Sequence, residues 1–545
     1  MKRLSLILVS AALIAPPALL SERAHAAHDD GFGDFDSFMS GALGDFDNFI
    51  DDANRDFIDF MRNPWKKYDA VKPEEKRVVP EPQVQPKADP EAKAPEKPVP
   101  LTIEEIIDLT GKESATKGGK EFGMAPIGNF VQEEPEAEPI TPKAQPQAPK
   151  AAPEAPRAQP QAPKPTPKSP KAAPKAPTPA PPSQATATTG LPLQFGGISY
   201  RVSDALRGTT PAVSLNENSI ADAYEALFRA DYNPLLADLK ELRANGLNND
   251  WALFTFVNEL SGKLATGNSR KVLAQFLLNQ LGYRARVAIV PSENRLALYF
   301  APNVQLYGVI FVDINGVRYY DAEAKRPYSF YMCPKEAPAA KGKIDMNVAS
   351  TPIFKGSNHV STRKGTGKSA DIMVSTVVPE QLISYYKSIP QCDYSVYANA
   401  AVAPGFKEMV LAALRPAVAG KSETEAAALL LDYVQHAFEY ATDGDQFGYE
   451  KPFFVEELYY YPKCDCEDRS VFYRFLVREL LGLDVVLLEY PNHLATAVRF
   501  STPPGGDCVQ VGNSIYTVCD PTYIGAGIGM AMPSFKNTAA KVVKI

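Results

Sequence analysis

The sequence predicts an α+β fold for residues 190–545, with two related domains that follow a disordered proline-rich linker. Two observations support this fold class. Segments with apolar residues at helical spacing alternate with short β-branched runs in this range. The composition differs upstream, where 17 of the chain's 49 prolines fall within residues 134–182.

Residues 1–26 have the pattern of a secretory signal peptide. Two basic residues precede an apolar run over residues 4–20, which two adjacent prolines interrupt, and Ala24-His25-Ala26 then offers a small-x-small cleavage site. A membrane-spanning helix would need about 20 apolar residues without such a break. We therefore expect a periplasmic or extracellular protein with no integral membrane segment.

Residues 27–68 contain a repeat with a spacing of 11 residues. The sequence GDFDSFM at 33–39 returns as GDFDNFI at 44–50 and, more loosely, as RDFIDFM at 55–61. Eleven residues make about three helical turns, so the apolar positions share one face and the aspartates the other. This acidic amphipathic helix either docks on its own protein or binds a protein partner through residues 33–62.

Residues 69–185 are predicted to be a linker rich in proline, alanine and lysine. Such a tract buries too little apolar surface to fold and favours extended conformations. The stretch around Leu101–Ile107 has fewer prolines and could form one or two helical turns. We place no other structure in this region.

Composition excludes several classes of protein. The 57 Lys and Arg against 64 Asp and Glu give a net charge of −7, which argues against a nucleic-acid partner. Six cysteines are too few for a disulfide scaffold, and five histidines leave few candidates for imidazole chemistry. The pair Cys464-x-Cys466 lacks a second Cys or His pair at zinc spacing. We therefore predict no metal and no cofactor.

The strongest functional signal lies between residues 459 and 523. Cys466 precedes an apolar-periodic run that ends at Gly482, so it stands at the start of a helix. His493 opens a strand, and Asp520 closes a later one after a Gly512-Asn513 hairpin turn. Helix N-termini favour a thiolate over a thiol, so we expect an ionised Cys466.

These three side chains suit nucleophilic catalysis. A cysteine attacks as its thiolate, an imidazole takes the proton and returns it to the leaving group, and a carboxylate on the far ring nitrogen fixes the tautomer. Backbone N–H groups near Cys466 could stabilise an oxyanion. Alternatively, Cys466 and His493 are structural, and Asp520 only forms a turn before Pro521.

The ordered triple resembles the transglutaminase-like superfamily, whose core is related to that of papain-like cysteine proteases. The matching segments are Asp465-Cys466-Glu467-Asp468, His493, and Asp520-Pro521-Thr522, within about residues 424–532. The resemblance implies a papain-like core in residues 401–545. It also implies that Cys466 is the nucleophile, His493 the general base and acid, and Asp520 the orienting carboxylate. The superfamily includes transglutaminases, amidases, peptidases and inactive relatives.

A degenerate copy of this domain is predicted at residues 190–335. In the alignment of the two segments, Gly267, Arg295 and Asp321 stand at the cysteine, histidine and aspartate positions. Neither glycine nor an always-charged arginine can perform thiol chemistry. The chain holds either an internal duplication with a silent first copy or two unrelated α+β segments. We expect residues 336–400 to be a β-rich connection.

The remaining cysteines leave several pairings open. Cys464 is a decoy thiol, a disulfide partner or a redox guard of Cys466. Two further disulfides are conceivable, although the first would join diagonal positions of a hairpin and would need a bulge: Cys508 with Cys519, and Cys333 with Cys392.

The sequence thus favours an exported thiol-dependent enzyme that acts on amide bonds of a peptide or protein substrate, as a cysteine peptidase, amidase or transglutaminase. No residue decides between hydrolysis and transfer to an amine. The alternative is a non-catalytic envelope protein that binds or scaffolds and retains the fold.

Overall fold

The computed structural model describes residues 51–75, 85–108 and 190–544. The predicted signal peptide, the first two copies of the 11-residue repeat and most of the linker lie outside these ranges. The described residues belong to one structural unit with a mixed α+β fold, which agrees with the expected class. Among them, no helix combines the length and apolar composition needed to cross a bilayer.

The helices of the described chain are, in order, α1 (51–61), α2 (Glu217–Arg229), α3 (Asn233–Leu242), α4 (Asp250–Leu264), α5 (Ser269–Gln280), α6 (Glu380–Ser388), α7 (Tyr394–Asn399), α8 (Pro404–Val418), α9 (Glu423–Ala437), α10 (Asp443–Gln446), α11 (Glu457–Tyr460) and α12 (Cys466–Leu481).

The strands are β1 (Lys66–Asp69), β2 (Pro98–Pro100), β3 (Ile103–Asp108), β4 (Leu191–Phe195), β5 (Ile198–Val202), β6 (Ala285–Val290), β7 (Arg295–Phe300), β8 (Ile310–Ile314), β9 (Val317–Asp321), β10 (Ser329–Met332), β11 (Asn358–Lys364), β12 (Met373–Pro379), β13 (Glu439–Tyr440), β14 (Lys463–Cys464), β15 (Asp484–Tyr490), β16 (His493–Arg499), β17 (Gly506–Val511), β18 (Ser514–Cys519) and β19 (Ala540–Lys544).

Two larger sheets organise these strands. The first has the order β1-β10-β6-β7-β9-β8, and the second has the order β2-β17-β18-β16-β15-β19-β3. Within them, the series β10-β6-β7-β9-β8 and β19-β15-β16-β18-β17 have the same chain order and antiparallel pairing. Helices precede both five-strand series in the chain: α4 and α5 come before β6, and α9 and α12 come before β15. The two halves of the folded region therefore share one topology.

Part of the predicted linker is folded. We expected no strand within residues 69–185, and only one or two helical turns around Leu101–Ile107. Instead, β2 pairs in parallel with β17 and β3 pairs in parallel with β19, so both occupy edges of the second sheet. Pro98 and Pro100 are compatible with β2 because an edge strand does not need every N–H group. The rest of the linker prediction lies outside the described residues.

Helix α1, which holds the third copy of the repeat, docks on its own protein. Phe57 and Met61 are buried, and the ring of Phe57 packs edge-on against Tyr224 of α2 at 5.6 Å. Arg62 forms ion pairs with two acidic residues of α2. For this copy, the docking interpretation is the one that the contacts support.

One hydrophobic core crosses the expected domain boundary. It includes Phe256 and Leu277 from the first half, Tyr386 from the connection, and Phe472 and Leu487 from the second half. Within the connection, β11 and β12 form an antiparallel pair, but α6 and α7 follow it, so the expected β-rich region is only partly β.

Candidate active site

Cys466 is the first residue of α12, as the sequence predicts. The preceding backbone N–H, that of Asp465, donates to Asp468 Oδ2 at 3.2 Å, which satisfies one polar group at the helix start. The helix ends before Gly482, whose φ of 70° is readily adopted by glycine. The helix thus fixes the sulfur at a buried position, 4% exposed.

His493 and Asp520 are in direct contact. His493 Nε2 and Asp520 Oδ2 lie 2.8 Å apart, and both residues are more than nine-tenths buried. His493 begins β16 opposite Tyr490, and Asp520 follows the last residue of β18, so adjacent strands bring the two together. The contact leaves Nδ1 of the imidazole for proton transfer.

Asp520 also forms the turn that the alternative interpretation required. Its Oδ1 accepts hydrogen bonds from the backbone N–H groups of Thr522 at 2.9 Å and Tyr523 at 3.3 Å. Each carboxylate oxygen therefore has its own task, because Oδ1 holds the turn and Oδ2 holds His493. The two roles are compatible.

Cys466 lies beside the strand that begins with His493. Its Sγ accepts a hydrogen bond from the backbone N–H of Leu494, the next residue along β16, at 3.4 Å. The structure thus brings the cysteine to the start of β16, and brings the histidine and aspartate into a hydrogen bond. The sequence alone gave no reason to expect the Leu494 contact.

The pKa of Cys466 is raised, contrary to the ionisation expected at a helix start. Burial is the largest cause of a pKa well above the usual cysteine range, and the neighbouring Glu467 carboxylate adds to it. The thiol donates to Glu467 Oε2 at 3.2 Å. The helix N-terminus and the Leu494 N–H favour the thiolate but do not outweigh these two effects. Ionisation of this sulfur therefore needs a base to take its proton.

An acidic cluster lies next to Cys466. Among the described residues, it is the group of side chains that could hold a cation. Oxygen atoms of Asp443, Asp465 and Glu467 lie within 4.8 Å of one another, and all three residues are buried. Carboxylate oxygens suit hard divalent cations. Burial and the neighbouring carboxylates raise the pKa of Asp443 to about 10. We predicted no metal because Cys464-x-Cys466 lacks a second Cys or His pair at zinc spacing, and that reasoning did not consider carboxylates.

Gln435 in α9 is a positioning residue that sequence reasoning missed. Its Nε2 lies within hydrogen-bond distance of the carbonyl oxygens of Asp520, Tyr523 and Ala526, at 3.1, 2.9 and 3.0 Å. Its Oε1 accepts from the N–H of Gly525 at 3.1 Å. One buried amide thus holds the loop that begins at Asp520. The available signal was an amide on the apolar face of a predicted helix.

Phe535 fixes the plane of the candidate base. Its ring stacks on the imidazole of His493 at 5.0 Å with an angle of 14°, and on Tyr490 at 4.8 Å. This contact restricts rotation of the histidine and shields it from water. The sequence carries no local signal for it, since Phe535 lies 42 positions after His493.

All six cysteines are buried, and none of them forms a disulfide. Cys508 lies opposite Thr517 rather than Cys519, so the hairpin disulfide does not form. Cys464 accepts a hydrogen bond from the fully buried Arg469 at 3.4 Å and is not bonded to Cys466. Of the alternatives for Cys464, the structure removes the disulfide.

The first half contains a site with the same layout. Arg295 begins β7 and its Nη2 lies 3.4 Å from Asp321 Oδ2, as His493 begins β16 and contacts Asp520. The N–H of Leu296 donates to Asn268 Oδ1 at 3.0 Å, as the N–H of Leu494 donates to Cys466.

These contacts correct the alignment by one residue. Asn268, rather than Gly267, makes the contact that corresponds to that of Cys466, and it precedes α5. An amide is no more a nucleophile than glycine, so this half still lacks the thiol chemistry. Arg295 is also paired with Glu293 at 2.7 Å, which makes the cluster an ion-pair network.

Comparisons with protein-family models, curated proteins and solved structures found no match.

Proposed function

We propose that the protein is a thiol-dependent enzyme that acts on amide bonds, with Cys466 as nucleophile, His493 as general base and acid, and Asp520 as the orienting carboxylate. The observation that carries this proposal is the buried 2.8 Å contact between His493 and Asp520 beside a helix that begins with Cys466. A transglutaminase-like core is the corresponding fold proposal.

The reaction follows from these roles. His493 takes the thiol proton while the sulfur attacks the amide carbon, so a C–S bond forms. Collapse of the tetrahedral intermediate breaks the C–N bond, and His493 gives the proton to the leaving amine. Attack by water then forms a C–O bond, breaks the C–S bond and returns a proton to the sulfur. Attack by an amine instead of water gives amide transfer.

Asp520 supports this cycle through the imidazolium. Its carboxylate accepts a hydrogen bond from the Nε2–H group, holds the tautomer and offsets the positive charge that forms when His493 takes a second proton. The same proposal includes three points that rest on the sequence. The protein is exported, its substrate is a peptide or protein with an amide bond, and it does not bind nucleic acid.

Labelling at neutral pH with iodoacetamide tests the nucleophile. We expect Cys466 to be alkylated before the other cysteines, and His493→Ala to slow its alkylation by about 100-fold or more, in line with general base assistance. His436→Ala is the matched control, because His436 lies in α9 and contacts the carbonyl of Asp432 instead. An acyl adduct on Cys466, seen by mass spectrometry with glutamine-containing peptides, would identify the reaction.

A second function is favoured by the burial of the sulfur. Cys466 is 4% exposed, and the first half retains the layout without the catalytic residues. Both facts suit a binding or scaffold protein that keeps the fold. If Cys466 reacts no faster than Cys519, and His493→Ala changes nothing, this second function replaces the first.

A further inference from the structure

A small cavity lies beneath helix α1, on the side of the molecule that carries the first sheet. Phe57, Met61 and Trp65 cover it, and Arg286 of β6 and Lys335 line it. The free space at its centre has room for about one water-sized group. Among the described residues that line it, none carries a carboxylate.

Arg286 is a buried cation without an acidic partner among the described residues. It is 5% exposed, and its Nε and Nη2 atoms are buried without a hydrogen-bond partner. Its Nη1 contacts only the weakly accepting sulfur of Met332 at 3.9 Å, and its guanidinium lies 5.1 Å from the ring centre of Tyr319. Arginine remains charged in proteins, so it cannot avoid the free-energy cost of a buried charge by losing a proton.

The acidic residue next to Lys335 has other partners. Glu336 follows Lys335, but it accepts a hydrogen bond from the Tyr319 hydroxyl and pairs with Arg284 at 3.4 Å. The ammonium of Lys335 lies 5.4 Å from the ring centre of Phe60 in α1. Lys335 is exposed, so Arg286 is the buried charge at this cavity, and an unpaired buried charge is costly unless a counter-charge joins it.

We propose that this cavity binds a small monovalent inorganic anion of the size of chloride, held by Arg286 and Lys335 under helix α1. The size of the space excludes sulfate and phosphate, and an anion offsets the buried charge of Arg286, which a neutral occupant does not. The anion links α1 to the first sheet, so its binding stabilises the docked position of the N-terminal helix.

Tryptophan fluorescence tests the site directly, because the chain has two tryptophans, Trp65 and Trp251, and only the first lines the cavity. In the full chain with Trp251→Phe, we expect bromide to quench Trp65 with a saturable curve at constant ionic strength, and gluconate or sulfate to have no effect. The matched control is the full chain with Trp65→Phe. Its remaining Trp251 is equally buried, at 4% exposure, and should show no saturable quenching.

Arg286→Met should abolish the saturable response, whereas Arg326→Met, which removes an exposed charge, should leave it unchanged. If Arg286→Met does not fold, Lys335→Met serves in its place and should weaken bromide binding by about tenfold. Chloride should also raise the melting temperature of the unaltered chain by about 2 °C at ten times its dissociation constant. The proposal would be overturned by a linear quenching response that is equal in the two single-tryptophan chains. It would also be overturned by a saturable response that remains in Arg286→Met.

Discussion

Substituting Gln435 by methionine removes the amide that holds the loop after Asp520, with little change in side-chain volume. The Nε2 group has two hydrogens for three carbonyl oxygens at 2.9–3.1 Å, and Oε1 accepts one further bond from Gly525. The amide therefore forms hydrogen bonds through two N–H hydrogens and one oxygen, and one of the two hydrogens is shared between two carbonyls.

The expected loss of stability follows from that count. A buried hydrogen bond contributes about 1 kcal/mol net, and a group left unpaired costs about 1–3 kcal/mol. Gln435 is 3% exposed, so water cannot easily replace the amide. We expect Gln435→Met to lower the free energy of unfolding by about 3–5 kcal/mol. Because the loop carries Asp520, the variant should also slow the alkylation of Cys466.

Urea unfolding and the alkylation rate measure the two effects. The matched control is Gln510→Met, in which the same substitution removes one exposed hydrogen bond, to the carbonyl of Gly512. It should change the unfolding free energy by less than about 0.5 kcal/mol. If Gln435→Met costs less than about 1 kcal/mol, or no more than the control, then the amide does not hold this loop and the reasoning fails.

Three further predictions concern other parts of the molecule. Burial raises the pKa of Glu456 from 4.5 to about 7, so its contribution to stability is complete below pH 4.5 and is lost as the pH rises through 7, by up to about 3 kcal/mol. Glu456→Gln should flatten this pH dependence of the unfolding free energy, as measured by urea titrations. An unchanged pH dependence in the variant would contradict the prediction. Phe57→Ala should lower the free energy of unfolding by about 3–5 kcal/mol and expose α1 to proteases. Phe60 is only half-buried, so Phe60→Ala should lower that free energy by clearly less. Equal losses in the two variants would argue against docking through Phe57. Alkylation of the unfolded, unreduced chain should add six groups by mass, and any smaller number would reveal a disulfide.

Much of the second half could be predicted from local patterns. The apolar spacing after Cys466 and the glycine at 482 specify α12, and the Gly512-Asn513 turn specifies the β17–β18 hairpin. Those signals depend on neighbouring residues only, so a single sequence contains them. The strand order shared by the two halves also followed the predicted correspondence, apart from the one-residue shift at Asn268.

The features that were missed depend on contacts between distant segments. Asp443 joins Asp465 and Glu467 only after α10 packs near the start of α12, and no short motif encodes that meeting. The expectation of a thiolate failed for a related reason, because it counted the helix dipole and not the burial of the sulfur. Pro98-Val99-Pro100 has no strand pattern, and its pairing is set by the sheet edge that it meets.

The strands β2 and β3 have a consequence for how the protein can be divided. Because they cover the outer edges of the second sheet, a fragment that starts at residue 190 would leave β17 and β19 with exposed backbone groups. Unprotected edges of this kind recruit other chains and promote aggregation. A fragment that keeps both edges covered therefore starts at or before β2, and expression of residues 190–545 alone removes both edge strands.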